Sequence, residues 1–186
     1  VHDVKRYKNV SKEIMESLNN IVVSGIDVPV KVVGDPASDK AIVFLSSARP
    51  KNKRKIAPYL PRVSWALEFD DAYCIYVGDP FLDEHGLGNG SWFIDENGVS
   101  ILSLIAEKIE EMTKGKKLLL YGSSMGGYAA LIISAHLGGD VIAECPQIDL
   151  GRYPGSRQVI ELLGFSPDEN SSYHVYKYWS EFGLPT

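Results

Sequence analysis

The chain has 186 residues and a formal net charge of −5, with 45% hydrophobic and 23% charged side chains; this is a globular composition, long enough for one domain with a real core. The acidic balance excludes a nucleic-acid binder driven by its overall field, and no apolar run approaches the roughly 20 residues of a membrane-spanning helix. The opening VHDVKRYKNV has no apolar centre, so it does not read as a signal peptide and the expected compartment is the cytoplasm. Because the chain starts at Val1, it reads as a piece of a longer one. Cys74 and Cys145 both lie in apolar runs and are expected as buried free thiols of a reducing compartment.

In chain order, residues 10–20 (VSKEIMESLNN) space Ile14 and Leu18 four apart among polar neighbours, which predicts a short amphipathic helix. IVVSG and DVPVKVVGD follow as a β-hairpin turning around Gly25, with Pro29 pointing to an edge strand. AIVFLSS (41–47) and AYCIYVGDP (72–80) are continuous apolar runs, as strands buried on both faces require. In VSILSLIAEKIEEM (99–112), Leu102, Ile105, Ile109 and Met112 recur at helical spacing with acids and Lys108 opposite. KKLLLYG is the next strand, GGYAALIISAHLGG a helix closed by Gly138 and Gly139, and DVIAECPQ (140–147) the last strand. Strands alternating with helices predict an α/β fold with a mostly parallel sheet and helices on both faces. A single domain over 1–186 is expected, with a core at 20–147 and a helical tail at 151–186.

The turn between the penultimate strand and its helix carries the chemistry. Gly122-Ser123-Ser124-Met125-Gly126 fits G-x-S-x-G with Ser124 at the centre, and a strand runs straight in while a helix runs straight out, as a nucleophile elbow requires. Residues two before and two after the nucleophile must be small, so that strand and helix can approach. Gly122 and Gly126 satisfy this around Ser124, whereas Ser123 would need Tyr121 and Met125 to be small. Ser124 is therefore the nucleophile candidate and Ser123 a spacer. The Met125 N–H, at a helix N-terminus, is positioned to stabilise an oxyanion. The bland reading is a tight turn without chemistry.

On the YGSSMGGYAAL turn and the order of elements over residues 20–147, the chain resembles the α/β-hydrolase superfamily of serine esterases and acyltransferases. The resemblance makes AIVFLSS the third strand, so a backbone N–H near Ser47 or Ala48 becomes the second oxyanion donor. It also implies an acid and a histidine after Ser124 in the chain. That loop lacks the family's common His-Gly-Gly pattern, and the usual seventh and eighth strands find no clear counterpart, so the fold is expected to be truncated or reduced at its C-terminal end.

A serine nucleophile needs a base and the base an orienting carboxylate. Four histidines are available. His2 is terminal, and His136 lies well along the helix after the turn and points away from Ser124. His85 lies in a loop leaving the same end of the sheet. His174, in SSYHVYKYW, fits the resemblance's order of Ser, acid, His, and Asp149 in CPQIDL directly follows the sixth strand, a position some family members use for the acid. Asp168 reads as a cap or turn residue. The other possibility is that acid and base both lie beyond Thr186.

RPKNKRK places Arg49, Lys51, Lys53, Arg54 and Lys55 in one loop; it is either a site for an anionic group of the substrate, such as a coenzyme A phosphate or an acidic sugar, or a solvated charged loop. Gly86, Gly88 and Gly90 read as an active-site flap or a plain loop. Asp79, Asp83, Glu84 and His85 have no spacing that favours a metal, and no cofactor is expected. Trp65, Trp92, Phe93, Tyr173, Tyr176, Tyr178 and Trp179 either stack on sugar rings or complete the core. The expected activity is acyl-ester hydrolysis or O-acyl transfer through an acyl-enzyme on Ser124, with a polar, carbohydrate-like or coenzyme A-linked substrate. The alternative is a non-catalytic hydrolase-like binding or assembly module with an incomplete triad.

Overall fold

The structure, a computed structural model, describes residues 19–50, 58–82 and 89–183. Six strands, β1 (Asn19–Val23), β2 (Ile26–Val33), β3 (Lys40–Leu45), β4 (Tyr73–Val77), β5 (Lys117–Ser123) and β6 (Asp140–Glu144), form one sheet in the order β1-β2-β4-β3-β5-β6. β3, β4, β5 and β6 run parallel, while β2 is antiparallel to both β1 and β4. The helices are α1 (Leu102–Thr113), α2 (Met125–Leu137), α3 (Pro154–Leu162) and α4 (Val175–Phe182), with 3-10 turns at Val63–Glu68 and Ser171–Tyr173.

The β1–β2 hairpin turns through Ser24 and Gly25, at φ 49° and 83°, the paired positive φ that a two-residue hairpin loop favours. Pro29 is not on an edge strand, because β2 has β1 on one side and β4 on the other. The ladder to β4 begins at Val30↔Val77, and just beyond it Gly78 N–H still donates to Pro29 O at 2.8 Å, so the proline sits at the end of that ladder and forgoes only its terminal N–H bond. The helix expected over 10–20 lies outside the described residues except for Asn19 and Asn20, which belong to β1.

Alternation along the strands builds two apolar layers. Val43, Leu45, Ile75, Val77 and Leu120 face α1 and α2 and pack with Ile105, Ile109, Tyr128 and Ile132. Ile42, Phe44, Cys74, Tyr76 and Tyr121 face the other way, onto Leu60, Val63 and Ala66 of the 3-10 turn and its approach. Each fully buried Ile or Leu here contributes about 1.5–3 kcal/mol by leaving water. Burial pushes the Cys74 thiol up to about 11, so it stays protonated and inert. Cys145 corrects the expectation of two buried thiols: it is exposed, at φ 44°, just past β6. The apolar run before it belongs to a strand paired, among the described residues, only with β5, so burial there alternates and Ile142 stands 49% exposed. No described helix is long and apolar enough to cross a membrane.

Candidate active site

Parallel strands deliver their C-terminal ends to one edge of the sheet, and the turns leaving that edge hold the candidate residues. β5 ends at Ser123 and α2 starts at Met125, leaving Ser124 alone in the turn at φ 55°, ψ −115°. That conformation costs a non-glycine residue about 1–3 kcal/mol and persists only when its surroundings over-determine it. Ser124 N–H donates to Glu144 O at 2.9 Å at the end of β6, and Ser124 O accepts Tyr128 N–H at 3.1 Å and Gln147 N–H at 3.4 Å. The flanking glycines are obligatory for space. A Cβ on Gly122 would stand 2.1 Å from Gly126 O, and one on Gly126 2.3 Å from Leu45 O.

The two serines of the turn have different surroundings. Ser123 Oγ accepts from Arg62 Nη1 at 3.3 Å, and the Arg62 guanidinium lies over the rings of Trp65 and Tyr121 and pairs with Glu144 at 2.9 Å. Tyr121 O–H also donates to Glu144, and its phenol is pushed up to about 12, chiefly by burial. Ser124 instead points its half-buried side chain at Gln147, whose Nε2 donates to Ser124 Oγ at 3.0 Å.

Backbone N–H donors lie in the segments that pack around the turn. The first N–H groups of α2 have no intrahelical acceptor, and Met125 supplies the first of them. In the loop after β3, Ser46 N–H bonds Val77 O at 3.0 Å and Arg49 N–H bonds Asn89 O at 2.5 Å. Among the described residues, the Ser47 and Ala48 N–H groups between them make no hydrogen bond. Gly90 closes that loop onto the helix: a Cβ there would meet Met125 Sδ at 2.7 Å and Ala48 Cα at 3.5 Å.

Gly90 opens a segment that the sequence did not tie to the site. Ser91 N–H and Oγ–H both donate to the buried Asp79 carboxylate at 2.5 Å, and Phe81 N–H adds a third bond at 3.2 Å. Thus anchored, Trp92 and Phe93 sit at φ 56° and 58°, two consecutive left-handed residues that are almost fully buried. The Trp92 indole packs against Tyr153, at 5.9 Å between ring centres, and its Nε1–H donates to Gln147 Oε1. Gln147, bonded to Ser124, and Trp92, bonded in turn to Gln147, are the residues that sequence reasoning did not tie to the turn. The available signal was the position of Gln147 three residues past β6, at the edge where parallel strands present ligands.

Asp149 and His174 come together as well, 25 residues apart in sequence but directly opposed in a short antiparallel bridge. Leu150 N–H donates to Tyr173 O and Val175 N–H to Ile148 O, both at 2.9 Å. His174 Nδ1 lies 2.9 Å from Asp149 Oδ1, though without the alignment of a hydrogen bond. The same carboxylate takes Gly151 N–H at 3.0 Å and Arg152 Nε at 3.2 Å. His174 Nε2 is 2.9 Å from Pro167 O; a carbonyl only accepts, so Nε2 carries a proton. Ser124 and His174 share no hydrogen bond.

Of the remaining candidates, His136 is held by Tyr178 O–H, and burial lowers its pKa. Asp168 lies in a turn, its N–H on Ser166 Oγ at 3.4 Å. Arg49 is buried, whereas Lys51, Lys53, Arg54 and Lys55, like His2, Asp83, Glu84, His85, Gly86 and Gly88, lie outside the described residues.

The sequence matches no family model and no curated protein. The fold does find counterparts. The capsule O-acetyltransferase of Neisseria meningitidis serogroup A superposes with a TM-score of 0.64 at 17% identity, over 89% of this chain and 85% of that one. A second structure of that acetyltransferase gives 0.59 at 19% identity, over 86% of this chain and 65% of the other. An S-formylglutathione hydrolase from Agrobacterium tumefaciens gives 0.59 at 13% identity, over 88% and 69%. The fold is that of the α/β-hydrolases. At these identities the likeness is one of fold, and it is a reduced form: no strand follows β6 among the described residues.

Proposed function

We propose that the protein is a serine-dependent acyl-ester hydrolase or O-acyltransferase and that Ser124 forms the acyl-enzyme. The observation that carries this is the backbone of Ser124, at φ 55°, ψ −115° in the turn between β5 and α2, with glycines on both sides that no larger residue can replace; it is the geometry that a nucleophile elbow calls for. Nothing in the packing of a plain strand-to-helix turn requires a strained, half-exposed serine. Ser124 Oγ attacks the ester carbonyl, its hydroxyl proton passes to a base, and the carbonyl oxygen takes the charge. Met125 N–H and the N–H groups of Ser47 and Ala48, which make no hydrogen bond among the described residues, are the oxyanion donors. Collapse expels the alcohol or thiol with the returned proton, and water or an acceptor hydroxyl then takes the acyl group from Ser124.

The base is assigned to His174 and the orienting acid to Asp149, in view of the approach of Nδ1 to the carboxylate. Its use requires Nε2 to leave Pro167 O and to give up its proton, the imidazole keeping one on Nδ1 toward Asp149, so that the bare Nε2 can accept from Ser124. A polar acyl acceptor or donor, carbohydrate-like or linked to coenzyme A, is favoured by the likeness to an enzyme named as a capsule O-acetyltransferase and by the basic run Arg49–Lys55. A second reading, a non-catalytic module on the same fold, draws on one observation: Ser124 Oγ and His174 Nε2 are each bonded to something other than one another.

The test is covalent labelling with a fluorophosphonate, in which Oγ displaces fluoride from phosphorus, together with turnover of p-nitrophenyl acetate. Wild type is expected to label at Ser124 and to turn over the ester, and Ser124→Ala to do neither. Labelling that persists in Ser124→Ala removes Ser124 as nucleophile; no labelling and no turnover in wild type favours the binding module.

A further inference from the structure

We propose that Gln147 is a catalytic residue of this site, donating from Nε2 to Ser124 Oγ as the hydroxyl loses its proton, and that Trp92 is the positioning residue that fixes the Gln147 amide. The inference rests on the reading of Ser124 as nucleophile. An amide side chain has a donor end and an acceptor end, and which end faces a hydroxyl is ordinarily ambiguous, since a hydroxyl serves either. Here the ambiguity is removed from the far side. The Trp92 indole nitrogen can only donate, and it meets Gln147 Oε1. Gln147 Nε2 must then be the end at Ser124, 3.0 Å from Oγ, so Ser124 Oγ accepts and its own proton is directed elsewhere.

Two consequences follow for the chemistry. A donor at Oγ stabilises negative charge building there before the bond to carbon or phosphorus is made, which lowers the cost of removing the hydroxyl proton. It also selects one side-chain rotamer of Ser124, leaving the O–H free for the base. The indole, in turn, is not free to drift. It is carried by a segment anchored at both ends, Ser91 on the buried Asp79 carboxylate and Phe93 O on Ile101 N–H at 3.0 Å, and it is wedged against Tyr153 and Gly155. Two consecutive left-handed residues, Trp92 and Phe93, are kept in this segment, and such backbone is retained where the surroundings dictate it. Leaving the site in this way, the loop after β4 reaches the nucleophile through one side chain of the loop after β6.

The rate constant for fluorophosphonate labelling of the full chain, followed against pH, tests the proposal. Gln147→Ala is expected to label at least about tenfold more slowly than wild type. Gln147→Glu keeps the shape but offers Oγ no donor once ionised. Its rate relative to wild type is expected to be low at pH 8 and to recover as the pH falls through the carboxyl pKa, when an O–H donor returns. Trp92→Phe, which keeps a ring but loses the indole N–H, frees the amide to turn over and is expected to fall between Gln147→Ala and wild type. Gln147→Glu and Trp92→Phe preserve most of the side-chain volume, so the conclusion does not hang on the alanine variant folding. Rates in Gln147→Ala within about twofold of wild type, or a Gln147→Glu ratio that does not change with pH, overturn the role of Gln147 while leaving Ser124 as nucleophile. No labelling of wild type overturns both.

Discussion

The serine turn and the Asp149–His174 bridge both follow the C-terminal ends of parallel strands but are held in opposite ways. Around Ser124 the constraint is steric and local, with two glycines whose hydrogens are the only substituents the backbone can accept, 2.1 Å and 2.3 Å from carbonyl oxygens if either gained a Cβ. At the bridge the constraint is polar and long-range: two backbone hydrogen bonds between segments 25 residues apart, and an imidazole buried between a carboxylate and the Pro167 carbonyl. A steric site has one geometry. A polar one can trade partners, and His174 must do so if it is to serve Ser124.

The largest effect that separates the two is a methyl group in the turn. Gly122→Ala is expected to destabilise the protein by about 3 kcal/mol or more, since the obstruction is backbone on both sides. For a domain of this size that lowers the melting temperature by about 10 °C, and labelling of Ser124 should vanish with the displaced turn. Gly115→Ala supplies the contrast: φ is +77° but nothing lies within 4 Å of the added Cβ, so only the backbone preference is lost, about 1 kcal/mol. If the two variants melt alike in a thermal scan, the steric account of the turn is wrong.

At the bridge the expected loss is smaller in stability and larger in chemistry. His174→Ala strips Asp149 of one of its three neighbours and should cost about 2 kcal/mol, below the usual toll for breaking a buried pair because Gly151 N–H and Arg152 remain. His174→Gln can still donate to Pro167 O and should cost about 1 kcal/mol. Both are expected to slow labelling by about 100-fold or more, as loss of a general base does. Near-wild-type labelling in His174→Gln would make the bridge purely structural and send the search for the base elsewhere.

The same distinction between local and long-range constraint explains what could be read before the structure. Buried parallel strands announce themselves as unbroken apolar runs, so β3, β4 and β5 were legible from AIVFL, YCIYV and KLLLY. The tightness of the turn at Ser124 was legible for the same reason, since its steric demand falls on the glycines two positions away. Pro29 misled because a proline can be accommodated at the end of a ladder as well as on an edge strand: β2 is internal, and Pro29 lies one residue before its first pair with β4, accepting only from Gly78 N–H there. Cys145 misled because the run before it borders an alternately exposed strand. The approach of Asp149 to His174 was available as a pair in chain order, but the Pro167 carbonyl at Nε2 was not. The place of Gln147 just past β6 pointed to the right edge of the sheet but not to its partners, because its contacts join loops after β4, β5 and β6, and their adjacency depends on strand order.

The smallest of these effects is the most direct reading of the turn. Ser124→Gly removes the nucleophile and the positive-φ strain together. Because glycine populates φ > 0 without penalty, the variant gains what Ser124 gives up, and it loses the Gln147 hydrogen bond to Oγ. The first term is about 1–3 kcal/mol and the second about 1 kcal/mol, so a net stabilisation of about 1 kcal/mol is expected from chemical denaturation, with labelling abolished. Ser124→Ala isolates the second term, since alanine keeps the Cβ and the strain but loses the hydroxyl, and it should be slightly less stable than wild type. A Ser124→Gly variant no more stable than Ser124→Ala would mean that the turn is relaxed as it stands. The backbone would then hold no strain at Ser124, and the case for a half-buried serine placed there at a cost would fall.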